Sequence, residues 1–380
     1  MDFSFTEEQT LLRDSVAGWL ADHYDFDQRR AAVSTPLGRR PETWSAFAND
    51  LGLLGATFPE ADGGLGGGPL EAMVILEAFG GRLVTEPYLG TAVIGGGFLT
   101  AASSPMAREI IAEIIAGRTI LAFAWAEPRG RYDLAHLETT ARKDGGGWIL
   151  GGHKSVVVDA PWADRLIVTA RTGGGRRERA GVSLFLVDKA AAGVTTRDYP
   201  TVDGGRASEV YFEDVAVPGE ALLAPEGEAL PLVERIVDEA IAGVCAEACG
   251  VLRGLHEGTV DYTRQRRQFG APLSSFQVLQ HRMVDMYIQF EQAISMTYMA
   301  HIKLSAPEKE RAKAISAAKV QIGRSARYIG QQSIQLHGGV GMTMEYKIGH
   351  YFKRMTMIES TLGDSDFHLR RLAAQGGLFK

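Results

Sequence analysis

The chain has 380 residues, 45% of them hydrophobic and 23% charged, and a formal net charge of −6. That length and balance suit two or three packed domains and exclude a disordered chain. The acidic total leaves no global basic field to hold nucleic acid or an anionic membrane, so an anionic ligand has to be met by local arginines.

The opening "MDFSFTEEQTLLRDSVAGWL" is acidic and amphipathic, without the basic start and apolar core of a leader peptide, which points to a cytoplasmic location. Thr6 and Gln9 stand in capping-box spacing, with Leu11, Leu12, Val16, Trp19 and Leu20 predicted on one helical face. "PETWSAFANDLGLLG", "PLEAMVILEAFGGRL" and "AREIIAEIIAG" repeat the helical pattern, so residues 1–120 read as a helical domain. Within it, "GGLGGG" at 63–68 follows no strand and reads as a flexible interhelix loop rather than a phosphate loop. From 121 to 227 the period changes. "WILGGHKSVVV", "RLIVTAR", "VSLFLVD" and "SEVYFEDVAV" are short runs separated by Gly, Asp and Pro, the signature of an antiparallel barrel or sandwich. The intervening "TGGGRRERAG" reads as a mobile hairpin tip. Helical periodicity returns over 228–380, with long segments near 229–264, 275–303, 308–336 and 345–359. The predicted fold class is mostly α with a central β domain. No run approaches the roughly eighteen apolar residues that would cross a membrane.

Cys245 and Cys249 are too few for a disulfide framework and lack the further ligands of a metal site, so they read as small buried side chains and no metal is expected. No GxSxG, HExxH or CxxC pattern is present. His256 beside Glu257 reads as solvated. "DSD" at 364–366 precedes the helical "FHLRRLAAQ" and reads as a cap. In "RRQFGAPLSSFQ", Arg266, Phe269 and Gln277 put a cation, an aromatic face and an amide at the corner between two helices, a set suited to a pyrophosphate and an adenine. "QLHGGVGM" adds Gln335 and the pair Gly338 and Gly339, where missing side chains let a phosphate approach backbone N–H groups. An ordinary turn is the alternative at each place. "AGVCAEACGV" carries one carboxylate, Glu247. At roughly 100° per residue, Ala240, Gly243, Glu247, Gly250 and Gly254 fall within an arc of about 80°. That strip of small residues can lie against a bulky ligand or against another helix, with Glu247 reaching solvent or an arginine.

Over nearly its whole length the sequence resembles the acyl-CoA dehydrogenases, through "TEEQ", "FPEADGGLGGG", "AFAWAEP", "RRQFGAPLSSFQ" and "QLHGGVGMTMEY". The resemblance implies a helical domain over 1–120, a β-barrel domain over 121–227 and a C-terminal four-helix bundle domain over 228–380. It further implies FAD as cofactor, an acyl-CoA substrate, a homo- or heterotetramer and an electron-transfer acceptor protein. Arg266, Phe269, Gln277, Gln335, Gly338 and Gly339 would grip the adenosine diphosphate end of FAD from a neighbouring subunit, and Asp238 would touch the pantetheine arm.

The family's base is the glutamate of a "YEGT" stretch, which here reads Thr361, Leu362, Gly363 and Asp364, and leucine cannot accept a proton. Some relatives carry the base on the long helix that opens the last domain, which makes Glu247 the candidate, ahead of Glu239, Asp364 and Asp366. Near the flavin ring the family's polar or aromatic side chains become Ala126, Tyr132, Val156 and Val158. These departures resemble the small subunits of heterotetrameric members acting on bulky, dicarboxylic or steroid-derived thioesters. The implied function is α,β-dehydrogenation of an acyl-CoA. The alternatives are a non-catalytic partner subunit that supplies part of the FAD site and a DNA-associated branch of the fold, which the acidic charge disfavours.

Overall fold

A computed structural model describes residues 5–376. The helices in chain order are α1 (Glu7–His23), α2 (Phe26–Val33), α3 (Pro41–Asn49), α4 (Pro69–Arg82), α5 (Gly96–Ala102) and α6 (Pro105–Ile115), then α7 (Leu230–Gln265), α8 (Gln277–Ile302), α9 (Glu308–His337), α10 (Lys347–Ser360) and α11 (Ser365–Ala374). Between α6 and α7 lie β1 (Leu121–Ala124), β2 (Thr140–Asp144), β3 (Gly147–Val158), β4 (Arg165–Arg171), β5 (Val182–Asp188), β6 (Val194–Pro200) and β7 (Arg206–Pro218), and β8 (Arg267–Gln268) with β9 (Ala271–Pro272) forms a small hairpin after α7. The mostly helical class with a central β domain is thus what the chain adopts.

The residues group into two compact units, one of 1–31, 69–84 and 241–380, the other of 32–68 and 85–240. In the first, α1 starts at the capping box read from the sequence: Thr6 and Gln9 satisfy each other's backbone N–H groups. Val16 and Leu20 are buried as expected, whereas Leu11 is exposed. Branched apolar residues of α7, α9 and α10, such as Val251, Ile315, Ile322 and Ile358, fill the core at 0% exposure. Burying each contributes about 1.5–3 kcal/mol.

In the second unit the sheet runs β1-β4-β2-β3-β7-β6, with β5 beside β4. It is a half-barrel and not wholly antiparallel: β4 lies parallel to β1 and, through one residue pair, to β2. β4 and β5 are buried along nearly their whole length, which is why they read as continuous apolar runs.

Two loops differ from expectation. The "GGLGGG" segment is not free, because the N–H groups of Gly64, Leu65, Gly66 and Gly67 donate to carbonyls of residues 55–59 at 2.9–3.1 Å. Those donors are consumed internally, which removes any phosphate cradle. The "TGGGRRERAG" loop is likewise held, by the buried Arg171 guanidinium, which donates to carbonyls along it. In both, backbone bonding replaces the side-chain packing that glycine cannot provide. Among the described residues no helix is long and apolar enough to cross a membrane.

Candidate active site

The end of α7 builds the first part of the site. The Arg266 N–H closes the helix on Tyr262 O at 2.8 Å, and Leu273 N–H returns to Arg266 O at 2.8 Å. Between them β8 and β9 pair around a two-residue turn, Phe269 (φ 55°) and Gly270 (φ 79°). Both lie in the left-handed region that a tight hairpin of this twist requires. Glycine adopts it freely, but a phenylalanine there is held at a cost of about 1–3 kcal/mol. Its ring is nonetheless 92% exposed. Arg266 and Gln277 are also exposed.

The glycine turn arrives at the same end of the bundle, because Tyr262 stacks on His337 at 4.3 Å and its hydroxyl donates to His337 O at 3.3 Å. Gly338 then ends α9 at φ 62°, and a Cβ on Gly338 or Gly339 would meet nothing within 4 Å. Gln335 is exposed on the last turn of α9. Exposed guanidinium, amides, aromatic face and bare backbone suit a nucleotide diphosphate, so this donor set fits the adenosine end of FAD.

In the second unit, register breaks in β3 between Lys154 and Val157 and leaves Val156 at φ 51°. Val156 and Val158 are 52% and 47% exposed. A β-branched residue in that region is a true outlier. Behind it, the fully buried Lys154 ammonium donates to Glu127 Oε1 (2.8 Å), Thr169 Oγ1 (3.1 Å) and Trp125 O (3.3 Å). Burial pushes the Lys154 pKa down to about 8, opposed by Glu127. Burial acts to raise Glu127, but the Lys154 charge and the N–H of Glu138 outweigh it and hold the carboxyl below its usual range. Glu127 also accepts from Thr139 N–H at 3.1 Å. The pair fixes the "AEP" segment, whose Ala126 O accepts from Ser155 N–H at 2.9 Å. Sequence reading missed this pair, although a lysine inside "HKSVVV" was its signal.

Glu247 is 5% exposed, and both its oxygens accept from Arg354 of α10, Oε1 from Nε at 2.6 Å and Oε2 from Nη2 at 2.7 Å. The strip of small residues beside it lies at least in part against other elements of the first unit, the second of the two arrangements its spacing allows. A Cβ on Gly250 would lie 2.0 Å from Glu77 O, and one on Gly254 would lie 2.7 Å from the Tyr351 ring. From the other side, a Cβ on Gly80 would lie 1.9 Å from Glu247 O. Helices α4 and α7 therefore cross with backbones in contact, pinned by the Tyr351 hydroxyl on Gly81 O (2.5 Å) and an Arg253–Glu77 ion pair. Asp238, 1% exposed, lies more than two turns earlier on α7.

The other carboxylates weighed as a base are engaged elsewhere or open to solvent. Glu239 pairs with Arg235 at 3.1 Å, and Asp366 is exposed. Asp364 caps α11 by accepting from Phe367 N–H at 2.7 Å, as its position in "DSD" suggested. Leu362, which the resemblance sets in the place of the base, sits at φ 56° in a turn gripped by the buried Lys319, whose ammonium donates to the carbonyls of Ile358, Glu359 and Gly363 at 2.7–2.9 Å.

Cys245 and Cys249 are buried as read, and burial pushes the Cys245 thiol up to about 12. His256, read as solvated, instead packs beside Tyr287 and Phe290 and contacts Met283 O at 3.3 Å; burial lowers its pKa.

Three domain models of the acyl-CoA dehydrogenases match the chain: the N-terminal domain over 6–118, the middle domain over 122–215 and the C-terminal domain over 232–377. A 3-(aryl)acrylate reductase of Clostridium sporogenes is 29% identical over 375 residues, covering 95% of this chain and 96% of its own. Among solved structures, a variant of the Tcur3481-Tcur3483 steroid ACAD superposes with a TM-score of 0.88 at 29% identity, covering 97% of each chain. The ChsE4-ChsE5 complex from Mycobacterium tuberculosis gives 0.90 at 25% identity, covering 99% of this chain and 98% of that one.

Proposed function

Since the chain belongs to the acyl-CoA dehydrogenase family, we propose that it dehydrogenates a bulky, steroid-derived or dicarboxylic acyl-CoA at the α,β-bond with Glu247 as the general base. As a member it is an FAD-dependent oxidoreductase acting on CH–CH groups. FAD, when bound, supplies the hydride acceptor.

The observation that carries the assignment of the base is that Glu247 is the buried carboxylate of the first unit among the described residues, in a chain whose resemblance to the family sets Leu362 in the customary position. The Arg354 fork leaves a second lone pair on each Glu247 oxygen, so the carboxylate stays oriented while it takes the α-proton. Arg266, Phe269, Gln277, Gln335, Gly338 and Gly339 hold the adenosine diphosphate of FAD belonging to a neighbouring subunit, and Asp238 contacts the pantetheine arm. The strained, uncovered Phe269 supports a corner completed by another chain. The steroid ACAD and the two-protein complex among the solved relatives support a bulky substrate and a heterotetramer with a related subunit.

The test is Glu247→Gln, purified folded and flavin-loaded. Anaerobic flavin bleaching by an acyl-CoA should slow by at least about a hundredfold; bleaching at the wild-type rate removes Glu247 from the mechanism. A second reading, a partner subunit without its own catalysis, draws support from the completeness of the Glu247–Arg354 pair. Protein purified alone that binds FAD and bleaches with substrate excludes it.

A further inference from the structure

A basic shelf in the second unit has no part in the chemistry assigned so far. Arg171 is 6% exposed, and its guanidinium donates to the carbonyls of Ala135 (2.6 Å), Arg176 (3.2 Å), Glu178 (2.9 Å) and Ala180 (2.6 Å). The loop after β4 is therefore wound around a buried cation. Leu137 N–H donates to Arg176 O at 2.9 Å and ties the loop to the segment 127–139.

What this rigid platform presents outward is arginine. Arg179 is committed to Glu234 in a two-pronged pair at 2.8 and 2.7 Å, which docks the loop on α7 one turn before Asp238. Arg177 Nε donates to His136 Nδ1 at 3.0 Å, a contact that braces its stem and leaves its terminal nitrogens uncommitted to that ring. Arg176 meets Glu138 at 3.0 Å in an exposed pair of small net worth. A Cβ on Gly130 would lie 3.5 Å from the His136 ring, so its neighbours Arg129 and Arg131 stand beside the same cluster, both exposed and Arg131 held at φ 48°. Segments 127–139 and 171–181 carry six arginines to four carboxylates in a chain whose net charge is −6, and one of those carboxylates, Glu127, is already neutralised by Lys154.

We propose that this shelf binds the phosphorylated adenosine end of the CoA substrate, with Arg176 and Arg177 on its 3′-phosphate. The inference rests on the acyl-CoA reading above. Guanidinium groups recognise phosphate in a forked, charge-assisted geometry, and a loop already fixed by a buried arginine loses little freedom on binding. The exposed Glu138 pair opens readily to a dianion. Docking at Glu234, one turn from Asp238, sets the shelf close to the path of a thioester arm that contacts Asp238 as proposed above.

The experiment compares CoA with 3′-dephospho-CoA by calorimetric titration of the FAD-loaded protein, together with its partner subunit if one copurifies, in wild type and in the R176A/R177A double variant, which leaves Arg171 and Arg179 to hold the loop. Wild type should bind CoA about fivefold more tightly than dephospho-CoA, the preference should shrink in high salt, and the double variant should bind both alike. Equal affinities in wild type, or a double variant that keeps the preference, overturn the nucleotide subsite. A double variant impaired only toward the electron acceptor assigns the shelf to a protein partner and overturns it too. These outcomes leave the acyl-CoA reading standing as long as acyl-CoA bleaches the flavin; wild-type protein that neither binds CoA nor bleaches removes both.

Discussion

The turn at 361–364 and the middle of α7 each fix one side chain in the first unit, and they differ in what does the holding. At the turn, Lys319 collects three backbone carbonyls and the His368 ring meets Leu362 O at 3.2 Å, so the geometry is indifferent to the side chain at 362. On α7, the hold is a fork from Arg354 onto a carboxylate, inside a helix crossing so close that glycine is needed on both partners. A platform made of backbone tolerates leucine. A platform made of an ion pair requires glutamate.

The most damaging way to break the contrast is at the crossing. Gly80→Ala puts a methyl group into Glu247 O and should destabilise the protein by about 3 kcal/mol, read as a lower urea midpoint. Next, Arg354→Leu leaves the 5% exposed Glu247 without its fork. A loss of about 2–3 kcal/mol is expected, short of that for a fully buried pair because the Arg354 side chain is 28% exposed. Equal stability of wild type and variant would mean that the pair does not hold Glu247.

The turn has its own pH signature. Burial, reinforced by Lys319 and Arg371, pushes the His368 pKa down to about 3, whereas the unfolded chain titrates near 6.5. Between those values the unfolded chain takes the proton first, so the contribution is intact above pH 6.5 and is lost as the pH falls toward 3. In His368→Gln the drop in urea midpoint between pH 7 and 5 should be shallower, although His301, lowered to about 4 by burial, keeps part of it in both proteins. The smallest effect belongs to Leu362→Ala: flavin reduction should stay within about threefold of wild type, and a loss comparable to that of Glu247→Gln would return the chemistry to the turn.

Much of this architecture was legible in the sequence. The capping box at Thr6, the cap at Asp364 and the change of period near 121 and 228 are local patterns, and local patterns survive folding. The corner of Arg266, Phe269, Gln277 and the glycine pair could be read as chemistry, but only the fold shows Tyr262 stacking on His337 and joining the two stretches at one end of the bundle. What sequence could not reach were partners far apart in the chain. Nothing near residue 247 announces Arg354, and nothing near Gly250 announces Glu77. The two glycine-rich loops misled for a related reason: composition reports the absence of side-chain packing and is silent about the backbone bonds, or the buried Arg171, that hold them.

The most direct measurement is α-proton exchange in D2O of a 3-thia-acyl-CoA, an analogue that is not oxidised, followed by NMR with FAD-loaded wild type and Glu247→Gln. Exchange by wild type and its loss in the variant, with the analogue still bound, is the expected result. Exchange that persists in Glu247→Gln would place the proton acceptor elsewhere.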